Sequence, residues 1–135
     1  MIGPVWISQI CNKVKKADGD LCKIRDLQRS VMAFEQHFAE RYGICLNEGM
    51  TLCSLKNTAK LSAGELGELL GLTPSNTSKV IASLEKKQLV KRTLSASDKR
   101  SMYFSLTPKG KELISTIKCD SLPMDATLKD LVCNE

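Results

Sequence analysis

No stretch of this 135-residue chain approaches the apolar length that a bilayer crossing needs, so no membrane-spanning helix is expected. Histidine is nearly absent: His37 stands alone, without C-x-x-C or any comparable ligand spacing. A zinc site needs several such ligands converging, so no metal and no cofactor is expected. Also missing are a phosphate-cradling glycine loop, a nucleophile elbow and a carboxylate pair with a supporting base, which argues against an enzyme. The six cysteines (Cys11, Cys22, Cys45, Cys53, Cys119, Cys133) are scattered without the compact framework of a disulfide-stapled domain. Most read as reduced thiols acting as small core hydrophobes. The opening M-I-G-P-V-W-I-S-Q-I-C-N-K-V-K-K places its lysines after its apolar stretch, the reverse of a secretory signal, which predicts a cytoplasmic protein.

What is present is globular material with an uneven charge. Hydrophobic content of 42% and charged content of 26% suit one integrated domain with a core of its own. The formal charge is +5, and residues 61–111 hold all of the excess, with nine Lys/Arg against four Asp/Glu. A basic segment on an otherwise neutral scaffold is the electrostatic footprint of a polyanion binder.

Along the chain, Ile24, Leu27, Val31, Phe34 and Phe38 recur at spacings of three and four. They predict a long helix from about residue 20 to Tyr42-Gly43, with an apolar seam that calls for a partner helix. Trp6, Ile10 and Val14 mark a candidate helix before it. Residues 47–57, with Met50, Leu52, Cys53 and Leu55, read as a short buried helix.

Next comes L-S-A-G-E-L-G-E-L-L-G-L-T-P-S-N-T-S-K-V-I-A-S-L-E-K-K. Ser62 and Glu65 form a capping box, Gly71 supplies a stop, and Thr73 with Pro74 starts a second helix after a three-residue connection. That is helix-turn-helix spacing. On the second helix Thr77, Val80, Ile81 and Leu84 form the buried stripe. The opposite side carries Ser75, Ser78, Lys79, Ala82 and Lys86, a cationic and hydroxyl-bearing face without an acid. Such a face can enter a major groove without repelling phosphate.

Residues 89–94 and Met102 to Leu106 then alternate as two strands around S-A-S-D-K-R-S, a stretch too polar to be buried. Thr107-Pro108 starts another helix, reaching to about Lys118, and a last short helix with Leu128, Leu131 and Val132 follows Pro123. The fold class is therefore mainly α with a small β-hairpin wing, a winged helix-turn-helix. In such a fold the second helix reads the major groove of double-stranded DNA and the hairpin can place a basic side chain in the minor groove. Arg100 is the candidate probe, with Asp98 orienting it by an ion pair.

L-S-A-G-E-L-G-E-L-L-G-L-T, S-N-T-S-K-V-I-A-S-L-E-K-K-Q-L-V-K-R, D-K-R followed by a strand, and L-T-P-K-G together resemble the MarR family of bacterial transcription regulators over about Leu46 to Leu113. The resemblance implies a homodimer that binds a palindromic operator through two recognition helices and two wings, and commonly a small-molecule effector. It assigns Ser75, Asn76, Ser78 and Lys79 to recognition-helix positions and Arg100 to the minor groove, with Asp98 as its brace. Lys86, Arg92 and Lys99 are further candidate DNA contacts. By the same resemblance, residues 1–45 are an N-terminal helical dimerisation region, 46–112 the DNA-binding region and 113–135 a C-terminal helical dimerisation region. The chain would be a cytoplasmic repressor, associated with the bacterial nucleoid when DNA-bound. Gln88 replaces the glycine that usually ends the recognition helix, so that turn needs a less permissive residue.

Two other readings stay open. Cys11 and Cys22 are candidate redox-sensing thiols, which would need a pKa lowered by nearby cations or a helix N-terminus. A winged helix can also serve as a protein-binding module, and the acid-free face of the second helix argues for DNA instead.

Overall fold

The computed structural model describes residues 19–94, 102–118 and 122–133. The chain divides into two compact units, Met1–Gly43 with Lys118–Glu135, and Ile44–Ile117. The expected helix around Trp6, Ile10 and Val14 lies outside the described residues, as does the stretch 95–101 at the tip of the wing.

In the first unit, helix α1 (Gly19–Tyr42) follows the predicted seam at its C-terminal end. Phe34 and Phe38 are buried, their ring centroids 6.1 Å apart, and Tyr42 continues the stack 5.0 Å from Phe38. Towards the N-terminal end the buried face turns away from the seam. Cys22 and Ser30 are buried there while Ile24 is 57% exposed. The cause is the last helix of the chain, Ala126–Cys133, which packs on α1. The Ser30 hydroxyl donates to the Asp125 carboxylate just before that helix, and Asp125 also caps it by accepting from the Leu128 N–H at 3.0 Å. A polar position on α1 thereby becomes part of its buried side.

In the second unit the order is α2 (Leu46–Asn57), β1 (Leu61–Ser62), α3 (Ala63–Leu70), α4 (Pro74–Lys86), β2 (Val90–Leu94), β3 (Met102–Leu106) and α5 (Pro108–Thr116); the helix Ala126–Cys133 of the first unit is α6. The strands make an antiparallel sheet in the order β1-β3-β2, with Leu61 opposite Phe104 and Val90 opposite Leu106. The hairpin was legible as two strands; β1 is a third. A two-residue strand shows no alternation, so only its pairing with β3 reveals it.

The local signals act as the sequence predicts. Ser62 Oγ accepts from the Glu65 N–H at 3.2 Å while Glu65 Oε1 accepts from the Ser62 N–H at 3.0 Å, the reciprocal bonds of a capping box. Gly71 ends α3 at φ 68°, a left-handed conformation that costs glycine nothing. Thr73 Oγ1 caps α4 by accepting from the Asn76 N–H at 3.2 Å, with Pro74 at the first helical position.

Leu52, Leu66 and Leu84, one from each of α2, α3 and α4, are fully buried at 0% exposure, and Phe104 and Leu106 close the core from β3. Helix α2 differs from its expected pattern. Met50 and Cys53 are exposed, and the buried face consists of Glu48, Gly49, Thr51, Leu52 and Leu55. At 100° per residue Glu48, Thr51, Leu52 and Leu55 share one side, and two of them are polar. An apolar count therefore could not find it. Helix α5 ends at Thr116, short of the expected Lys118. The hydroxyls of Ser115 and Thr116 donate back to the carbonyls of Glu112 and Leu113 at 2.6 and 2.7 Å, local bonds that compete with continuing the helix.

Candidate nucleic-acid interface

Helix α4 carries the site. Thr77, Ile81 and Leu84 face the core at 2%, 4% and 0% exposure, with Val80 half-buried beside them. Thr77 also returns its hydroxyl to the Thr73 carbonyl at 2.8 Å, so its polar atom is satisfied inside. With that stripe fixed, Ser75, Ser78, Lys79, Ala82 and Lys86 stand on the open side, all exposed. They fall within an arc of roughly 100° on the helical wheel. Asn76 is exposed on the flank of the same face. Two cations, two hydroxyls, an amide and a methyl can bond to phosphates and base edges and can touch a thymine methyl.

The nearest acid on α4 is Glu85, and it is engaged. Arg92 on β2 donates Nε and an Nη nitrogen to the two Glu85 oxygens at 2.8 and 2.6 Å, a bidentate pair. The same guanidinium lies 5.7 Å from the Phe104 ring, directly across the ladder. The bond from Arg92 holds the Glu85 carboxyl below its ordinary value, and its partner's bond raises Arg92 further. Arg92 thus braces the root of the wing against α4 while half of its side chain stays open to solvent.

The far end of α4 is held by a group that composition did not mark. Glu48 on α2 is only 4% exposed. Its Oε1 accepts from the Cys45 N–H at 2.9 Å, both oxygens accept from Lys87 Nζ at 2.9 and 3.0 Å, and Oε2 accepts from the Ser83 hydroxyl at 2.9 Å. Burial pushes the Glu48 carboxyl up, but the Cys45 N–H, Lys87 and Ser83 together outweigh it, and the group ends below its ordinary value. A sequence signal for it did exist. Glu48 is three residues after Cys45 at the start of α2, the same spacing as Ser62 and Glu65, with a cysteine where the hydroxyl residue makes that pattern conspicuous.

Beyond α4 the chain leaves through Gln88 at φ 62°, where the less permissive residue does adopt the glycine-like conformation. Several bonds hold this exit. Thr107 donates its hydroxyl to the Gln88 carbonyl at 2.7 Å, and Lys109 Nζ donates to the Lys87 carbonyl at 3.2 Å. Gly110 lies so close that a Cβ there would fall 2.1 Å from the Leu89 carbonyl oxygen, so no larger residue fits. That contact gives the L-T-P-K-G stretch its physical meaning: its glycine lets α5 seat against the strand that opens the wing.

Among the other candidates, Asp98, Lys99 and Arg100 lie outside the described residues, as does Cys11. Cys22 is buried in the first unit, with an Arg25 nitrogen 3.9 Å from its sulfur. Among the described residues no group of three or more His, Cys, Asp or Glu converges on a metal-sized site, and no helix is long and apolar enough to cross a membrane.

Comparison with known proteins agrees with this architecture. The MarR family model matches residues 44–102, which span the second unit from the start of α2 to the start of β3. The HTH-type transcriptional regulator SarZ of Staphylococcus epidermidis is 30% identical over 76 residues, covering 56% of this chain and 51% of that protein. The chain spans about half the length of the curated relatives it matches. Among solved structures, the transcriptional regulator BldR from Sulfolobus solfataricus superposes with a TM-score of 0.67 at 21% identity, over 89% of this chain and 81% of that one. The S. aureus MepR F27L mutant bound to an oligodeoxyribonucleotide superposes with a TM-score of 0.57 at 25% identity, over 67% of each chain.

Proposed function

From the match of residues 44–102 to the MarR family model, we propose that the protein is a sequence-specific, DNA-binding transcriptional regulator that acts as a homodimer on a palindromic operator and represses by occupying it. In this reading α4 enters the major groove with Ser75, Asn76, Ser78 and Lys79 towards the bases, and Lys86 contacts phosphate. Arg100 at the wing tip takes the minor groove with Asp98 as its brace, and Lys99 adds a phosphate contact. Arg92 acts indirectly, by fixing the wing to α4.

The observation that carries the reading is the open face of α4. It bears Lys79 and Lys86 and no carboxylate, and the one acid of α4, Glu85, is paired with Arg92. A surface helix without a polyanionic partner would more often mix both signs. The homodimer is supported by the first unit, where Leu21, Ile24 and Met32 on α1 stay 57–66% exposed, as do Leu131 and Val132 on α6 at 66% and 51%. Apolar side chains left open on two helices that pack together are what an association face would use.

Selection of bound sequences from a pool of random duplex DNA tests the proposal. The expected result is a palindrome whose half-sites are centred about one helical turn apart. Recovery of no preferred sequence would contradict it.

A further inference from the structure

Glu48 is the only charged side chain in the core among the described residues. Its partner Lys87 keeps 38% of its side chain open to solvent, and pairing a buried carboxylate in this way is a poor way to gain stability, since an apolar replacement of the same volume is often no worse. What such a pair can supply is a unique arrangement, because a partly satisfied buried carboxylate is costly in every alternative.

The bonds of Glu48 define which arrangement that is. One goes to the first turn of its own helix, through the Cys45 N–H. The other partners, Ser83 and Lys87, belong to the last turn and the C-cap of α4. On the helical wheel Ser83 lies roughly 80° from Ser75, outside the arc of Ser75, Ser78, Lys79, Ala82 and Lys86 and about two turns along the helix from Asn76, so its bond to Glu48 leaves the base-facing N-terminal residues of α4 open. Turning α4 about its axis would pull Ser83 and Lys87 off the carboxylate at once. The exit of the helix is held as well by the Thr107 and Lys109 bonds to the carbonyls of Gln88 and Lys87. The C-terminal end of α4 is therefore tied both to α2 and to the start of α5. A turn of about 10° in a helix of roughly 5–6 Å outer radius moves its exposed side chains about 1 Å. That is more than a hydrogen bond to a base edge tolerates.

We propose that Glu48 is a positioning residue for DNA recognition, a buried anion that sets the rotation of α4 through Ser83 and Lys87 and so aligns Ser75, Ser78 and Lys79 with the bases. The inference rests on the DNA-binding reading above. It makes the negative charge, and not the volume of the side chain, the requirement. Loss of the charge should impair base reading, which needs alignment, and spare phosphate contacts, which tolerate small rotations.

The test uses the full chain and two probes of equal length, the duplex recovered by selection and a random duplex. Each is titrated against salt for wild type, Glu48→Gln, Lys87→Met and Ser83→Ala, at a temperature where circular dichroism shows each variant folded. Glu48→Gln and Lys87→Met are expected to weaken binding to the selected duplex by about tenfold, the scale of one lost base contact, with random-duplex affinity and the salt slope unchanged. Ser83→Ala should act in the same direction and less. A lower melting temperature with the selected-to-random ratio unchanged would overturn the proposal, because the network would then serve stability alone. Equal loss on both duplexes, or a salt slope reduced by about one for Lys87→Met, would also overturn it by placing Lys87 on a phosphate. Should Glu48→Gln fail to fold, Lys87→Met and Ser83→Ala decide the matter by the same ratio. A wild-type chain with no preference between the duplexes defeats the DNA reading itself, and is told apart because it appears before any substitution is made.

Discussion

The two units of this chain bury their side chains to different degrees. In Ile44–Ile117 three leucines from three helices are fully buried, and the buried polar groups Glu48, Thr51 and Thr77 all find partners. In the other unit, five large apolar side chains of α1 and α6 stay at least 51% exposed. Leu69 and Leu94 of the winged unit are exposed too, at 62% and 59%, but they stand on separate elements, α3 and β2, whereas the five of the helical unit lie on α1 and α6, which pack together. Under the proposed function, recognition would belong to the winged unit and assembly to the helical one, the division that a dimeric reader of a two-fold site needs.

The winged core is where a single truncation should cost most. Leu84→Ala is expected to destabilise the protein by about 2–5 kcal/mol in chemical denaturation, since a fully buried leucine leaves a cavity that its neighbours fill only partly. A cost below about 1 kcal/mol would mean that the α4 stripe is not closed as described.

Met32→Asp probes the other side. On an exposed position it should change the stability of the isolated protomer by no more than about 0.5 kcal/mol. It should nevertheless weaken association by about a hundredfold or more, because a two-fold interface would bury the unpaired carboxylate twice. Sedimentation at several concentrations checks this. An unchanged oligomeric state would remove the dimer from this face.

Acid should weaken both units, each through a carboxylate of its own. The Glu48 and Asp125 carboxyls are both held below their ordinary values, Asp125 chiefly by the bond from Ser30. A group depressed in the folded state contributes stability that is fully present above the ordinary carboxylate range and is lost as pH falls through its folded value. Denaturant midpoints should therefore drop on acidification below the carboxylate range. Glu48→Gln should flatten that drop in the winged unit, and a curve of unchanged steepness would show that the carboxylate is not charged when folded.

The smallest effect is expected from Arg92→Ala. Its pair with Glu85 is open to solvent, so affinity for the selected duplex should fall by less than about threefold through a loosened wing. A larger fall together with a reduced salt slope would make Arg92 a phosphate contact instead.

Much of the winged unit could be read from the sequence because its signals are local. Ser62 with Glu65, Gly71, Thr73 with Pro74, and Thr107 with Pro108 each act within one turn of chain, and the Thr77, Ile81, Leu84 stripe follows from helical period alone. The features that escaped depend on partners distant in sequence. β1 exists only by pairing with β3, Glu48 is buried because Ser83 and Lys87 meet it across 35 and 39 residues, and Ile24 is exposed because α6 draws the opposite side of α1 inwards. The engagement of Arg92 by Glu85 likewise needed the fold, since the sequence shows only a cation beside the wing. The open face of α4 was the most legible part of the site, because helical period and charge alone define it.

The most direct measurement is the affinity of wild type and Lys79→Ala for the selected duplex across a range of salt concentrations. The log of the association constant should fall linearly and steeply with log salt for wild type through counterion release, with the slope reduced by about one in Lys79→Ala if that lysine sits on a phosphate and tighter discrimination lost if it sits on a base. A flat line for wild type, or a Lys79→Ala variant identical to it in both slope and affinity, would contradict the account that the acid-free face of α4 reads DNA.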